Sequence, residues 1–189
     1  MPYPKGHKIK VRSKIIESAA QAFRANGIRD ISVPYIMKGA GLTHGGFYAH
    51  FDNKEQLVAE ACRYAISDTI SLLQGAADQV EQGAKINAVI DYYLSAYHRD
   101  QTEMDCILPA LSGEMSRSSE EVRQVFTAEL KRMIDFLADV AGVDSDASSV
   151  LLSSMVGSLV LARSVSDSEL SDRLLATAKT NAKQLVGMA

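Results

Sequence analysis

Apolar residues recur every three to four positions along most of the chain, which is the spacing that predicts amphipathic α-helices. Ile15, Ala19 and Phe23 form the apolar stripe of a first helix at about residues 8–26. Gly27 follows this stripe, where a left-handed helix C-cap belongs. No stretch alternates between apolar and polar residues in the way that predicts a β-strand. The sequence therefore predicts an all-α fold.

Cap signals divide the rest of the chain into further helices. Ser32 is a suitable N-cap for a short helix at 33–39, and Pro34 fits the first turn of that helix because no N–H is needed there. Thr43 is a suitable N-cap for the next helix, at 44–51. Longer helices are predicted at about 53–74, 84–99, 104–116, 119–141, 146–164 and 168–186. Three short helices are thus expected first, and a larger helical bundle after them.

Two consecutive glycines interrupt the third short helix, within GLTHGGFYAHFDNKEQL at residues 41–57. Each glycine inside a helix costs about 1 kcal/mol relative to alanine. Two short helices joined by a glycine-containing turn form a helix-turn-helix, whose second helix enters the DNA major groove. Phe47 and Phe51 form the inward stripe of this helix. Because Gly45 and Gly46 lack side chains, they would let its first turn lie unusually close to a duplex.

Charge is distributed unevenly along the chain. Residues 1–56 contain nine Lys or Arg and four Asp or Glu, a net charge of +5, whereas the remaining residues contain eleven basic and nineteen acidic residues, a net charge of −8. The overall charge of −3 hides this difference. Such asymmetry predicts a module that faces nucleic acid, joined to one that does not.

Composition indicates a soluble protein of a reducing compartment. Cys62 and Cys106 are too few for a disulfide framework. The longest uncharged stretch, at 147–162, contains several serines and is shorter than the roughly 20 apolar residues of a membrane-spanning helix. The basic N-terminal segment lacks the apolar core of a secretory signal. A cytoplasmic location and no membrane partner are therefore expected.

Residues 8–61 resemble the DNA-binding region of the TetR/AcrR family of transcriptional regulators. The resemblance is most specific at Gly41-Leu42-Thr43, followed by Phe47-Tyr48, His50-Phe51 and Lys54. It implies a helix-turn-helix DNA-binding domain at 1–56, followed by a helical effector-binding and dimerisation domain at 57–189. It also implies a homodimeric one-component repressor that binds a palindromic operator of double-stranded DNA and is released by a small-molecule effector.

The family pattern implies which residues would contact the operator. Base-edge contacts are expected at the start of the second helix, from Thr43, His44 and Gly46, and Gly45 is a further DNA-binding candidate that allows close approach. Phosphate contacts are expected from Ser32, Tyr48, His50 and Lys54. Tyrosine and histidine donate hydrogen bonds to phosphate without carrying a fixed charge. Val33 departs from the family pattern, because it replaces a hydroxylated residue that contacts phosphate.

Residues after Ala61 predict an effector pocket and a dimer interface. An apolar or aromatic effector would be held between helices by adaptable apolar side chains, for which the candidates are Tyr93, Tyr97, Met104, Cys106, Ile107, Leu108, Leu111, Phe126, Met133 and Met155. The last two helices, at about 146–164 and 168–186, are the expected dimer interface, because the penultimate helix is apolar on nearly every side and needs a partner to cover it. The interface candidates are Leu151, Met155, Gly157, Ser158 and Leu161.

Two other functions fit the sequence. Cys106 lies at the start of a predicted helix, so it is a candidate thiol sensor of electrophiles or oxidants, although a free cysteine is also a common buried residue. The chain is alternatively a helical ligand-binding protein without DNA binding. The histidines and cysteines lack the spacing of metal ligands, and no nucleophile and base are suitably spaced, so no metal, cofactor or enzymatic activity is expected.

Overall fold

The computed structural model describes residues 5–101 and 106–187, and all regular secondary structure within them is helical. Three elements come first: α1 (Lys5–Asn26), α2 (Val33–Gly39) and a 3₁₀ helix (His44–Ala49). The long helix α3 (Lys54–Ala77) follows, and a short 3₁₀ turn (Gln82–Ala84) leads into α4 (Lys85–Tyr93). The remaining helices are α5 (Ala96–Asp100), α6 (Ile107–Met115), α7 (Glu120–Ala141), α8 (Ser145–Ser164) and α9 (Ser168–Gly187). The all-α prediction is confirmed.

The helix predicted at 84–99 is two helices in the structure. Leu94 leaves the helical conformation at the end of α4, and Ser95 begins α5 as its N-cap. The Ser95 hydroxyl oxygen accepts a hydrogen bond from the backbone N–H of His98 at 3.0 Å. Serine caps compete with helix continuation, which is why the chain turns at this position.

The first three elements share one small core. Ile15, Phe23, Ile36, Phe47 and Phe51 are all 1% exposed or less. The rings of Phe47 and Phe51 stack with their centroids 5.6 Å apart. These contacts confirm the predicted inward stripe, and they fix the 3₁₀ helix against α1 and α2.

Helix α3 connects this small core to the bundle by continuous backbone, since it packs against α1 as well as α4 and α7. Asn53 caps its N-terminus, where the side-chain oxygen accepts a hydrogen bond from the Gln56 N–H at 2.8 Å. Gln56 in turn accepts one from the Asp52 N–H at 2.8 Å. Asn53 and Gln56 together thus satisfy two backbone N–H groups at the start of α3.

Helix α8 packs against both α7 and α9. By length and composition it is the one helix among the described residues that could cross a membrane. Leu151, Met155 and Leu159 are nevertheless buried inside the subunit, as expected for a core helix of a bundle. The prediction that Leu151 and Met155 face a partner subunit is wrong for this reason. The large apolar side chains on the outer side of α8 are instead Val150 and Leu161, each 56% exposed.

A carboxylate on α6 binds the loop that follows α1. Both Glu114 oxygens accept from the Ile28 N–H, at 3.1 and 3.2 Å, and one also accepts from the Arg29 N–H at 3.2 Å. Gly27 has the left-handed φ of +79° that the sequence predicts for a C-cap, and a Cβ there would lie 2.5 Å from a Glu114 oxygen. Gly27 is therefore required both for its conformation and for the approach of Glu114.

Gly27→Ala is expected to destabilise the protein more than Gly142→Ala. Gly142 has a similar φ of +68° but has no atom within 4 Å of an added Cβ. Left-handed conformation costs a non-glycine residue about 1–2 kcal/mol, and displacing Glu114 removes hydrogen bonds worth about 1 kcal/mol each. Chemical denaturation at one protein concentration measures both variants. Equal losses of unfolding free energy would show that the Glu114 contact contributes nothing.

Candidate nucleic-acid interface

The 3₁₀ helix presents one side to solvent and buries the other. Thr43, His44 and Gly45 at its start are exposed, and Tyr48 is 68% exposed, whereas Phe47 is fully buried. The Gly46 N–H donates to the Thr43 carbonyl at 3.1 Å, but the Thr43 side chain makes no cap hydrogen bond. The sequence predicts an α-helix through residue 51; the structure has a 3₁₀ helix that ends at Ala49.

Nothing inside the protein requires glycine at the start of this helix. A Cβ at Gly45 would meet no atom within 4 Å, and one at Gly46 would make only an ordinary 3.6 Å contact with Met37. Neither residue has a positive φ. Glycine therefore lowers helix stability here without an internal reason. Its missing side chains matter only to a molecule that approaches from outside.

Arg12 of α1 holds the C-terminal end of the 3₁₀ helix. Its guanidinium lies 4.1 Å from the centroid of the Phe51 ring and donates to the His50 carbonyl at 3.2 Å. It also forms an ion pair with Glu60 of α3. These three contacts link the 3₁₀ helix to α1 and α3 at one point.

His50 lies close to several cations. Burial lowers the pKa of its imidazole, and the nearby Lys8, Arg12 and His7 lower it further. A cationic surrounding of this kind disfavours the imidazolium until an anion binds beside it. The electrostatics of His50 are thus consistent with the predicted phosphate contact.

Two more of the four predicted phosphate ligands, Ser32 and Lys54, make internal contacts. The Ser32 oxygen accepts from the Tyr35 N–H at 3.4 Å as the N-cap of α2, which leaves its O–H able to donate. The Lys54 ammonium donates to the Ile28 carbonyl at 2.5 Å. Burial lowers the pKa of Lys54, against the opposing effects of Glu114 and Asp30. This bond leaves two further N–H donors on the Lys54 ammonium, and its phosphate contact stays a prediction.

A pocket of about 410 Å³ opens between the N-terminal half of α1 and the 3₁₀ helix. It is lined by His7, Lys8, Val11, Met37, Leu42, Thr43, Gly46, Ala49 and His50. Two predicted base-contact residues, Thr43 and Gly46, form one wall of it. The pocket is therefore continuous with the surface predicted to meet DNA.

Most of the predicted effector-pocket residues are packed in the bundle core. Seven of them are 2% exposed or less, namely Tyr93, Cys106, Ile107, Leu108, Leu111, Met133 and Met155. Phe126 is partly buried against the same core. Tyr97 is 65% exposed, so its predicted place in an internal pocket is wrong; His98 of α5 turns inward instead, with its Nδ1 2.6 Å from the Tyr93 carbonyl oxygen. Met104 lies outside the described residues.

Both cysteines are buried. Cys106 is the N-cap of α6 and is 1% exposed, and Cys62 of α3 is fully buried. Burial, with a smaller effect from Glu129, raises the pKa of the Cys62 thiol to about 12. A buried thiol is poorly accessible to reagents in solution, so the structure does not favour the thiol-sensor interpretation.

Sequence reasoning missed Arg12 and Glu114. Arg12 contributes to the basic N-terminal charge, but nothing local distinguishes it from the neighbouring lysines. Glu114 contacts residues about 85 positions away along the chain. Such a contact between a side chain and a distant backbone leaves no periodic signal. Only Gly27, a C-cap in the sequence, marks the place where it occurs.

The small buried core and the exposed glycine turn form a helix-turn-helix module that is attached to an all-helical bundle. Residues 15–61 match the family model described as bacterial regulatory proteins, tetR family. The chain is 24% identical over 116 residues to the uncharacterised HTH-type transcriptional regulator YerO of Bacillus subtilis, covering 61% of this chain and 40% of YerO. It is 40% identical over 52 residues to the HTH-type transcriptional repressor KstR2 of Mycobacterium tuberculosis, covering 28% of this chain and 26% of KstR2. The matched segments thus span well under half the length of these relatives.

Comparison with solved structures shows a similar fold over nearly the whole chain. The reduced form of Escherichia coli NemR superposes with a TM-score of 0.79 at 18% identity, covering 93% of this chain and 96% of NemR. A TetR transcriptional regulator from Chloroflexus aurantiacus superposes with a TM-score of 0.78 at 20% identity, covering 96% of each chain. The family model thus places a tetR-family domain at residues 15–61, and the solved structures show that nearly the whole chain shares their fold.

Gly45→Ala is expected to weaken DNA binding without destabilising the protein. Alanine fits the backbone and meets no atom, so stability stays equal or rises by up to about 1 kcal/mol. The added methyl group would hold the helix away from the base edges, and losing one good contact lowers affinity about tenfold or more. Thermal unfolding and fluorescence anisotropy with duplex DNA measure the two effects.

Gly75→Ala is the matched control, because Gly75 lies in α3 and its added Cβ also meets no atom within 4 Å. It should leave DNA affinity unchanged. If Gly45→Ala binds DNA as tightly as the control does, the close-approach role of the glycine pair is wrong.

Proposed function

We propose that this protein is a cytoplasmic, homodimeric one-component repressor that binds a palindromic operator and is released by a small-molecule effector. The observation that carries the proposal is the open glycine turn, Gly45 and Gly46, which has no internal function and lies beside the exposed Thr43, His44 and Tyr48. These glycines lower the stability of the helix but let its first turn lie close to a DNA duplex, which suits a surface that contacts base edges in the major groove. The repressor named KstR2 shares this part of the sequence, which supports repression in preference to activation.

The distribution of charge supports separate roles for the N-terminal and C-terminal parts of the chain. We assign DNA binding to residues 1–56, with a net charge of +5, and effector binding and dimerisation to residues 57–189. Base-edge contacts come from Thr43, His44 and Gly46, and Gly45 allows the close approach that they need. Phosphate contacts come from Ser32, Tyr48, His50 and Lys54. Each phosphate that is neutralised makes the logarithm of affinity fall by about 0.9 per logarithmic unit of salt.

The outer face of α8 is the dimer interface in this proposal. Val150 and Leu161 are large apolar side chains that the subunit leaves exposed, and between them lie Ser154 and Gly157, which are small enough for close helix approach. Of the interface predicted from sequence, Gly157, Ser158 and Leu161 remain in the proposal. Two copies related by a two-fold axis would bury this face and place two helix-turn-helix modules on two half-sites.

Effector binding is assigned to the bundle core around α6. Leu108, Leu111 and Met115 point into this core, whereas Glu114 on the same helix binds the loop after α1. A ligand that shifts α6 would therefore displace the DNA-binding module through the Glu114 contact. A tilt of α3 would be a second route for the same displacement. Coupling of this kind is usually about 1–3 kcal/mol and reciprocal, so operator DNA would weaken effector binding by the same factor. The apolar lining fits an apolar or aromatic effector.

Selection of bound duplexes from a random-sequence library by the full-length protein tests the function. The recovered sequences should contain two inverted half-sites about one helical turn apart, and affinity should fall steeply with salt. Recovery of no enriched sequence, at low salt as well, would favour a ligand-binding protein without DNA binding.

Leu161→Arg is expected to convert the dimer to a monomer and to reduce operator affinity at least tenfold. The substitution puts an unpaired charge into the proposed interface, which costs several kcal/mol when it is buried. Tyr97→Arg is the control, since Tyr97 is similarly exposed but lies on α5. Light scattering at micromolar concentration measures the state of each variant. A wild-type monomer, or a dimeric Leu161→Arg variant, would remove this interface.

A further inference from the structure

The pocket between α1 and the 3₁₀ helix has a basic rim. Among its lining residues His7, Lys8 and His50 can carry positive charge, and none of the nine is acidic. Lys8 lies near enough to His50 to lower the pKa of its imidazole. Arg12, which lies beside the pocket, is already paired with Glu60, whereas Lys8 forms no ion pair with any residue that the structure describes. The charge of Lys8 is therefore available to a bound anion.

The interior of the pocket is apolar. Val11, Met37, Leu42 and Ala49 form its floor and sides. A volume of about 410 Å³ is several times larger than one phosphate group needs. An anion that fills it should carry an attached group with a hydrocarbon surface. A phosphate with its deoxyribose has both properties, since the sugar presents mainly C–H groups.

The position of the pocket relates it to the predicted base contacts. Thr43 and Gly46 form the wall nearest the start of the 3₁₀ helix. When this helix end lies in the major groove, the sugar-phosphate backbone that borders the groove runs past the same residues. The pocket is thus placed to receive this backbone.

We propose that this pocket binds one nucleotide unit of the operator backbone, with its phosphate at Lys8, His7 and His50 and its deoxyribose against Val11 and Leu42. The inference rests on the proposed function and extends the DNA interface from the helix-turn-helix to the first helix. Phosphate contacts fix the register of a protein on the duplex. Helix α1 therefore sets how the 3₁₀ helix lies along the groove.

A duplex with one neutral methylphosphonate at a time tests the proposal. The duplex is the sequence recovered by selection, and wild type, Lys8→Ala and Lys10→Ala are titrated against each substituted version. Lys10 is a matched control, because it is an exposed lysine on the same helix and does not line the pocket. All three proteins should unfold at the same temperature, since both lysines are exposed.

For wild type, neutralising one phosphate in each half-site should reduce affinity about ten- to a hundredfold, as for loss of a charge-assisted hydrogen bond. This loss should vanish in Lys8→Ala and persist in Lys10→Ala. The salt slope of Lys8→Ala should also be shallower by about 0.9 for each half-site. Identical phosphate profiles for Lys8→Ala and Lys10→Ala would overturn the inference but leave the function intact. Failure of wild type to bind any duplex would instead overturn the proposed function.

Discussion

The DNA-binding surface depends on the burial of two phenylalanines. A 3₁₀ helix of six residues has poor hydrogen-bond geometry and cannot persist alone in water. Phe47 and Phe51 bury their rings against α1 and α2, and burying a ring of this size contributes roughly 1.5–3 kcal/mol. Arg12 then covers Phe51 and holds the His50 carbonyl. Because the inner face supplies the stability, the outer face is able to carry two glycines.

The same module is held to the bundle by contacts with several helices. Lys54 of α3 donates to the Ile28 carbonyl, and Glu114 of α6 accepts from the Ile28 and Arg29 N–H groups. The loop after α1 is thus bound by a cationic side chain at a carbonyl and by an anionic side chain at its N–H groups. The Arg24 guanidinium adds a buried contact from α1 to the Ala65 carbonyl of α3. A shift of α3 or α6 cannot leave the helix-turn-helix in place without breaking one of these bonds, and this requirement is the physical basis of the effector release that we propose.

Local patterns predicted much of this structure because they act over a few residues. The stripe of Ile15 and Phe23, the left-handed cap at Gly27 and the N-cap at Ser32 each depend on neighbours within about one helical turn. The exposure of Thr43, His44 and Tyr48 follows by exclusion, because the inward stripe takes the other side of the helix. These short-range features are sufficient to locate the helix-turn-helix along the chain.

Other features depend on which helix lies opposite, which periodicity does not reveal. Helix α8 is apolar on nearly every side, so its sequence could not separate the inward Leu151 and Met155 from the outward Val150 and Leu161. The prediction for Tyr97 is wrong because the break at Leu94 and Ser95 rotates α5 relative to α4. The Glu114 contact joins an acidic side chain to backbone far along the chain, and no residue pattern encodes it.

We assign base recognition to the start of the 3₁₀ helix and contacts with the DNA backbone to its later residues. The most direct measurement is the affinity of wild type, His44→Ala and Tyr48→Phe for every single-base-pair variant of the selected operator. We expect His44→Ala to lose about 1–3 kcal/mol of discrimination at one base pair in each half-site, whereas Tyr48→Phe should weaken binding to all sequences by one common factor. If both substitutions scale every affinity by a common factor, the assignment of base reading to this helix end is contradicted.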